Sequence, residues 1–154
     1  MSAARRVVYY ARLGRVGYAK GLELQAACAE AHRAAASRQT AGRNIVLLLE
    51  HDPVYTVGVR PHDYTVQLED RLRALGADFH RTNRGGLITF HGPGQLVAYP
   101  ILNLKDFRLG IKEYVKNLEV AIMKVCSKYG IATETSVHTG VWIGERKIAA
   151  IGMY

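Results

Sequence analysis

Cysteine is scarce in this sequence, acids are missing from its start, and no long apolar run occurs. Cys28 and Cys126 are the only two cysteines among 154 residues. Two are too few for a disulfide scaffold, and they lack the spacing of a metal site. Both fall in helical pattern, where a buried free thiol is the ordinary reading. No apolar stretch approaches the ~18 residues of a membrane helix, so no membrane span is expected. The net charge is +8, which asks for an acidic partner or a basic compartment. Yet the basic residues are scattered, no run of five occurs, and no RNA-binding pattern appears, so nucleic acid is not the expected partner. An acidic carrier protein satisfies the charge equally well. No acid precedes Glu23, whereas Arg5, Arg6, Arg12, Arg15 and Lys20 all do. Such a start is compatible with mitochondrial import, although the same residues also read as a strand and a helix start. There is no internal repeat, no low-complexity segment, no P-loop and no Cys/His zinc spacing.

What is present is a soluble composition, 49% hydrophobic and 22% charged, long enough for one domain with a core of its own. One stretch concentrates unusual chemistry: Arg84-Gly85-Gly86-Leu87-Ile88-Thr89-Phe90-His91-Gly92-Pro93-Gly94-Gln95. Gly85 and Gly86 carry no β-carbon, so the backbone can turn there or let another group lie on it. Leu87 to His91 alternates as a strand, with Leu87, Thr89 and His91 on one face and Ile88 and Phe90 on the other. Gly92-Pro93-Gly94 ends it. Two readings stand side by side. The pair of glycines is a plain hairpin turn, or the stretch is a floor of bare backbone with polar groups at its rim.

The remaining pattern predicts α+β, one mixed sheet with helices against it. Strands are expected at Arg6–Arg12 (broken by Gly14), Ile45–Leu49, Val54–Val57, Ala77–Thr82 and Leu96–Leu102. The second is an apolar run that belongs mid-sheet, buried on both faces. Pro100 puts the last at an edge or a bulge. Ser37–Arg43 is a connection, and Gly58–His62 a loop carrying Arg60 and Pro61. Helices are expected from Tyr18 to about Ala36, with Leu22, Ala26 and Ala29 on one face, then around Leu68, Leu72 and Leu75. A third, from Ile111 to Tyr129, stops at Gly130. Val141–Ile143 and Ile148–Ile151 flank a Gly144-Glu145 turn of type II′. Lys147 abuts that apolar strand. It is either a snorkelling surface lysine or a buried one whose lowered pKa lets it take a proton from a thiol or stabilise a thiolate.

The string from Arg84 to Ile101, Arg-Gly-Gly-x-x-Thr-Phe-His-Gly-Pro-Gly-Gln-Leu-Val-x-Tyr-Pro-Ile, closely resembles the octanoyltransferases of lipoate biosynthesis. Thr139-Gly-Val-Trp-Ile-Gly-Glu-Arg-Lys147-Ile-Ala-Ala-Ile-Gly152 is a second match. The resemblance implies the fold of lipoate and biotin protein ligase catalytic domains, over a single domain spanning 1–154. It implies transfer of an octanoyl group from acyl carrier protein to a lysine of lipoyl domains, on 2-oxoacid dehydrogenase E2 subunits and the glycine cleavage H protein. No cofactor is implied, because the substrate rides on phosphopantetheine. Lys147 would lower the pKa of a nucleophilic cysteine. Arg84, Gly85, Gly86, Leu87, Ile88, Thr89, Phe90 and His91 would bind substrate, with Ala150, Ile151 and Gly152. The matrix of mitochondria is the implied compartment, or the cytoplasm of a bacterial source. The family's cysteine lies in a Pro-Cys-Gly setting downstream of the lysine strand, beyond Tyr154, so the expectation is a truncated or alternatively spliced member. The competing expectations are an ATP-dependent lipoate ligase, a non-catalytic chain that binds acyl carrier or lipoyl domains, and a basic nucleic-acid-binding domain.

Overall fold

The computed structural model describes residues 7–38, 40, 42–59, 64–85 and 87–153. Arg6, Arg60, Pro61, His62 and Gly86, each part of an expectation above, lie outside that set. The chain divides into two compact units, one within Met1–Asn103 and one over Leu104–Met153.

The first unit uses one motif twice. β1 (Val8–Val16) and β2 (Asn44–His51) are parallel neighbours joined through α1 (Tyr18–Ser37), the crossover a parallel pair requires. β3 (Val54–Val57) and β4 (Asp78–Arg81) repeat this through α2 (Val66–Ala74). Each pair then gains an antiparallel third strand. β6 (Val97–Ile101) pairs with β2, and β5 (Thr89–His91) with β3. Instead of one sheet there are two three-stranded sheets here, ordered β1-β2-β6 and β4-β3-β5.

The apolar run is mid-sheet as expected, but only one of its faces is fully buried. Leu47, Leu49 and His51 are buried, and Ile45, Val46 and Leu48 are half-buried. Pro100 lies on β6, at the edge of its sheet. Gly14 does not end β1. It sits at φ +66 where the register slips between Arg12 and Gly14, so the strand absorbs one extra residue as a bulge and runs on to Val16. The buried side of α1 carries Tyr18, Gly21 and Gln25, with Leu22, Cys28 and Ala29 half-buried, whereas Ala26 is exposed. Cys28 is therefore not a buried thiol. Cys126 is.

α2 begins at Thr65, whose hydroxyl accepts from Leu68 N at 3.2 Å, an N-cap. It stops before Gly76 at φ +83. The helix buries no residue. It is tied to β4 by Arg73, which donates to Phe79 O at 3.0 Å. The core of this unit gathers Leu47, Leu49, Val54, Val57, Phe79 and Val97 around four buried polar residues, Gln25, Asn44, His51 and Thr56.

The second unit holds a one-turn helix α3 (Leu104–Phe107), the long α4 (Ile111–Lys128), and a hairpin of β7 (Val141–Ile143) and β8 (Arg146–Ala149). α4 ends ahead of Gly130 at φ +71, and Gly144 turns the hairpin at φ +54, the positive φ that primed turns need. β8 starts and stops earlier than expected, so Ala150 and Ile151 follow the strand and are not part of it.

Candidate active site

Thr56 is fully buried on the central strand β3. It is the anchor of the Arg84 segment. Arg84 directs Nη2 to Thr56 O at 2.6 Å and to Thr56 Oγ1 at 2.7 Å, with Nε at 3.2 Å from the same hydroxyl. The same guanidinium closes its own loop, with Nη1 donating to Gly85 O at 2.8 Å and Nη2 also to Leu87 O at 3.0 Å. Thr82 N donates to Val57 O, and Val59 N to Arg84 O. A planar group with five N–H donors suits such a web, and a lysine could not fill it. Desolvation lowers the guanidinium's pKa, while Tyr18, Tyr64 and Tyr99 act in the opposite direction.

For Gly85 this web decides between the two readings. β4 and β5 are not neighbours, because β3 lies between them. Gly85 therefore belongs to a connection that crosses the end of β3, and is not the tip of a hairpin. Nor is Leu87-Ile88 strand. Leu87 O is taken by Arg84, and Ile88 N donates to the Tyr64 hydroxyl at 2.8 Å, so β5 begins at Thr89. A β-carbon on Gly85 would meet nothing within 4 Å, and Leu87 and Ile88 are exposed beside it. The result is an open backbone ledge with apolar side chains on it.

The expected facing of β5 holds. Thr89 pairs with Thr56 and His91 with Val54, while Phe90 pairs with Tyr55 and packs on its ring at 4.9 Å. On the first face His91 joins a cluster of rings. Tyr18 stacks against it at 6.3 Å, and His51 meets it edge-on at 5.8 Å. Tyr18 also lies 5.0 Å from His80 and 5.2 Å from His51. His51 is fully buried. Its Nδ1 donates to Val16 O at 2.7 Å, and Nε2 is 2.7 Å from the Tyr99 hydroxyl. Burial is the main cause lowering the His91 pKa below 6.5; Gln95 raises it, and His51 and Arg84 lower it further.

Sequence reasoning did not single out His51, Tyr18, His80, Tyr99, Thr56 or Gln95. One signal for His51 was available: it continues the alternation of Leu47 and Leu49, so a histidine falls on the buried face. Tyr99 stood unassigned inside the matched string.

In the second unit Lys147 is exposed, so the buried alternative is not found. It is not a free surface lysine either. Nζ donates to Thr139 O at 2.9 Å and sits 4.6 Å over the Trp142 ring, a cation–π contact. The Trp142 indole is held by His138 O at 3.0 Å. Gly140 gives the lysine stem its path. At φ +130, a β-carbon there would come within 2.6 Å of Ala149 O and 3.1 Å of Lys147 Cε. Ala150 and Gly152 are exposed beyond β8, and Ile151 is half-buried. This unit also has a shallow groove of about 320 Å³ lined by Ile111, Val115, Glu119, Val137 and Thr139. Among the described residues no cluster of metal-ligating side chains occurs, and no helix is long and apolar enough to cross a membrane.

The lipoyl protein ligase A/B catalytic domain matches residues 18–154. The chain belongs to that family. Within it, an octanoyl-acyl-carrier-protein:protein N-octanoyltransferase of Danio rerio mitochondria is 50% identical, aligned with 100% of this chain and 67% of its own length. An octanoyltransferase of Acidobacterium capsulatum is 44% identical over 92% of this chain and 62% of its own. The chain thus spans about two thirds of the length of these curated relatives. Among solved structures, a bipartite lipoate protein ligase of Thermoplasma acidophilum superposes with a TM-score of 0.58 over 91% of this chain and 53% of that one, at 18% identity. That likeness is one of fold, and it bears out the α+β expectation.

Proposed function

We propose that this lipoyl protein ligase A/B family chain serves octanoyl transfer in lipoate biosynthesis, from acyl carrier protein to the lysine of a lipoyl domain. The observation that carries the proposal is the Arg84 ledge: a backbone platform fixed by a buried hydroxyl, with exposed apolar side chains and a half-buried imidazole at its edge. Arg84, Gly85, Gly86, Leu87, Ile88, Thr89, Phe90 and His91 hold the acyl group, with Ala150, Ile151 and Gly152 as further substrate contacts. The two compact units belong to one catalytic domain, and the mitochondrial matrix is its compartment. The partners are acyl carrier protein and the lipoyl domains of E2 subunits and of the glycine cleavage H protein. No cofactor is used.

The chemistry runs in two exchanges. A cysteine thiolate attacks the carrier's thioester carbonyl, a new C–S bond forms, the old one breaks, and the phosphopantetheine thiolate leaves. The lipoyl lysine amine then attacks the enzyme thioester, the C–N bond forms, the cysteine thiolate departs and the amine loses its proton. Lys147 contributes a fixed positive charge that favours the thiolate. Its anchoring by Thr139 O and Trp142 supports that role, since a charge held in place acts on one site. Cys28 and Cys126 lie in α1 and α4 and are not assigned as the nucleophile.

The test joins this chain to the C-terminal third of the Danio rerio relative and measures octanoyl transfer to a lipoyl domain without ATP. Transfer is expected, and Lys147→Ala should reduce turnover by about 100-fold or more, the scale of a positioned catalytic group, with unchanged far-UV dichroism. A requirement for ATP, or full turnover in the alanine variant, contradicts the proposal.

A further inference from the structure

The turn after His91 does more than end a strand. Gln95 N donates to Gly92 O at 3.1 Å, and Gly94 sits at φ +83. With proline second and a positive-φ glycine third, this is a type II arrangement. Gly94 N also donates to Glu50 Oε2 at 2.8 Å, which ties the turn to β2. The turn carries the Gln95 side chain back over β5. There its Nε2 donates to Phe90 O at 3.2 Å, and its Oε1 lies 2.6 Å from His91 Nδ1.

These two contacts determine a proton. If the amide were reversed, its oxygen would face the Phe90 carbonyl oxygen, acceptor against acceptor. The NH₂ group must therefore point to Phe90, and Oε1 to His91. An amide oxygen only accepts, so His91 Nδ1 carries hydrogen. In the neutral ring the lone pair is then on Nε2. Among the described residues none hydrogen-bonds that nitrogen. His51 differs, with a partner at each ring nitrogen.

We propose that Gln95 is a positioning residue that sets the tautomer of His91, so that His91 offers an unprotonated Nε2 at the acyl-handling ledge as an acceptor for a polar hydrogen of the substrate. Its use by substrate rests on the octanoyl-transfer reading; the tautomer does not. One net hydrogen bond biases the two tautomers by roughly tenfold. Burial of the ring keeps the neutral form dominant at neutral pH.

Nitrogen-15 NMR of the imidazole rings in the 154-residue chain, near neutral pH, reads the tautomer directly. In the wild type, His91 Nδ1 is expected to resonate as a protonated nitrogen and Nε2 as a bare one. Gln95→Leu removes the acceptor, and both His91 nitrogens should move toward a mixture while the other imidazoles stay in place. Gln95→Glu keeps an acceptor oxygen there and should retain the Nδ1–H form. A wild-type ring protonated on Nε2, or a leucine variant with an unchanged His91 spectrum, overturns the proposal. Should the leucine variant not fold, the wild-type spectrum alone decides. Absence of octanoyl transfer in the fusion with the Danio rerio segment, with the tautomer intact, would count against the octanoyl-transfer reading and leave the Gln95 assignment standing.

Discussion

His91 shows how a single residue turns local packing into a solution property. Its environment lowers its pKa, with burial ahead of the opposing hydrogen bond to Gln95. The native state then holds the ring neutral at pH values where an unfolded chain has begun to protonate it. The unfolded state binds more protons in that window, so stability falls as pH drops below about 6.5 toward the folded-state pKa. His91→Asn keeps an amide N–H near the Nδ1 position and cannot titrate. Urea midpoints between pH 7.5 and pH 5.5 should decline less in this variant than in the wild type. Equal declines would mean that His91 is solvated. Arg84 shows the opposite kind of residue, a cation whose donors are committed to Thr56 and to the Gly85 and Leu87 carbonyls, so that it shapes the ledge.

Elements were legible from the sequence where one local rule sufficed. α4 follows from its apolar period and its terminal glycine, α2 from the spacing of Leu68, Leu72 and Leu75, and β2 from an apolar run too short for a helix. Reading failed where the partner was distant. Gly14 looks like a break because a bulge depends on the register against β2. Gly85-Gly86 look like a hairpin because nothing nearby reveals that β3 intervenes. The setting of Lys147 depends on the β7–β8 register and on Thr139 eight residues earlier. His51 was missed because the apolar run was read only as far as Leu49, although its alternation continues to the histidine, and α1 packs closely on that ring. A β-carbon on Gly21 would lie 2.7 Å from His51 Cε1. Alanine ordinarily stabilises a helix over glycine by about 1 kcal/mol, whereas overpacking a core costs about 1–3 kcal/mol. The His51 ring is fixed at both nitrogens, so the second effect should win. Gly21→Ala is expected to lower the urea midpoint, and a raised midpoint would show that His51 can move.

At the scale of the whole molecule, the octanoyl-transfer proposal brings the chain's charge and its ledge into one function. A net charge of +8 favours encounter with an acidic carrier and makes it salt-dependent. Family membership fixes the fold class and narrows the chemistry. The matched strings already carried that information, because they fall on the Arg84 loop and on the Lys147 hairpin. They could not reveal which groups elsewhere in the chain support the segment from Arg84 to His91. Thr56, Tyr64, Tyr18 and His51 do so, and all four come from outside the strings.

The most direct measurement is a backbone amide map of the 154-residue chain titrated with S-octanoyl-pantetheine. The largest shifts are expected at Leu87 to His91, where the exposed ledge and its imidazole meet the acyl thioester. Shifts confined to the α4 groove around Ile111, Val115 and Val137, or none at any residue, would contradict the assignment of the ledge to the acyl group.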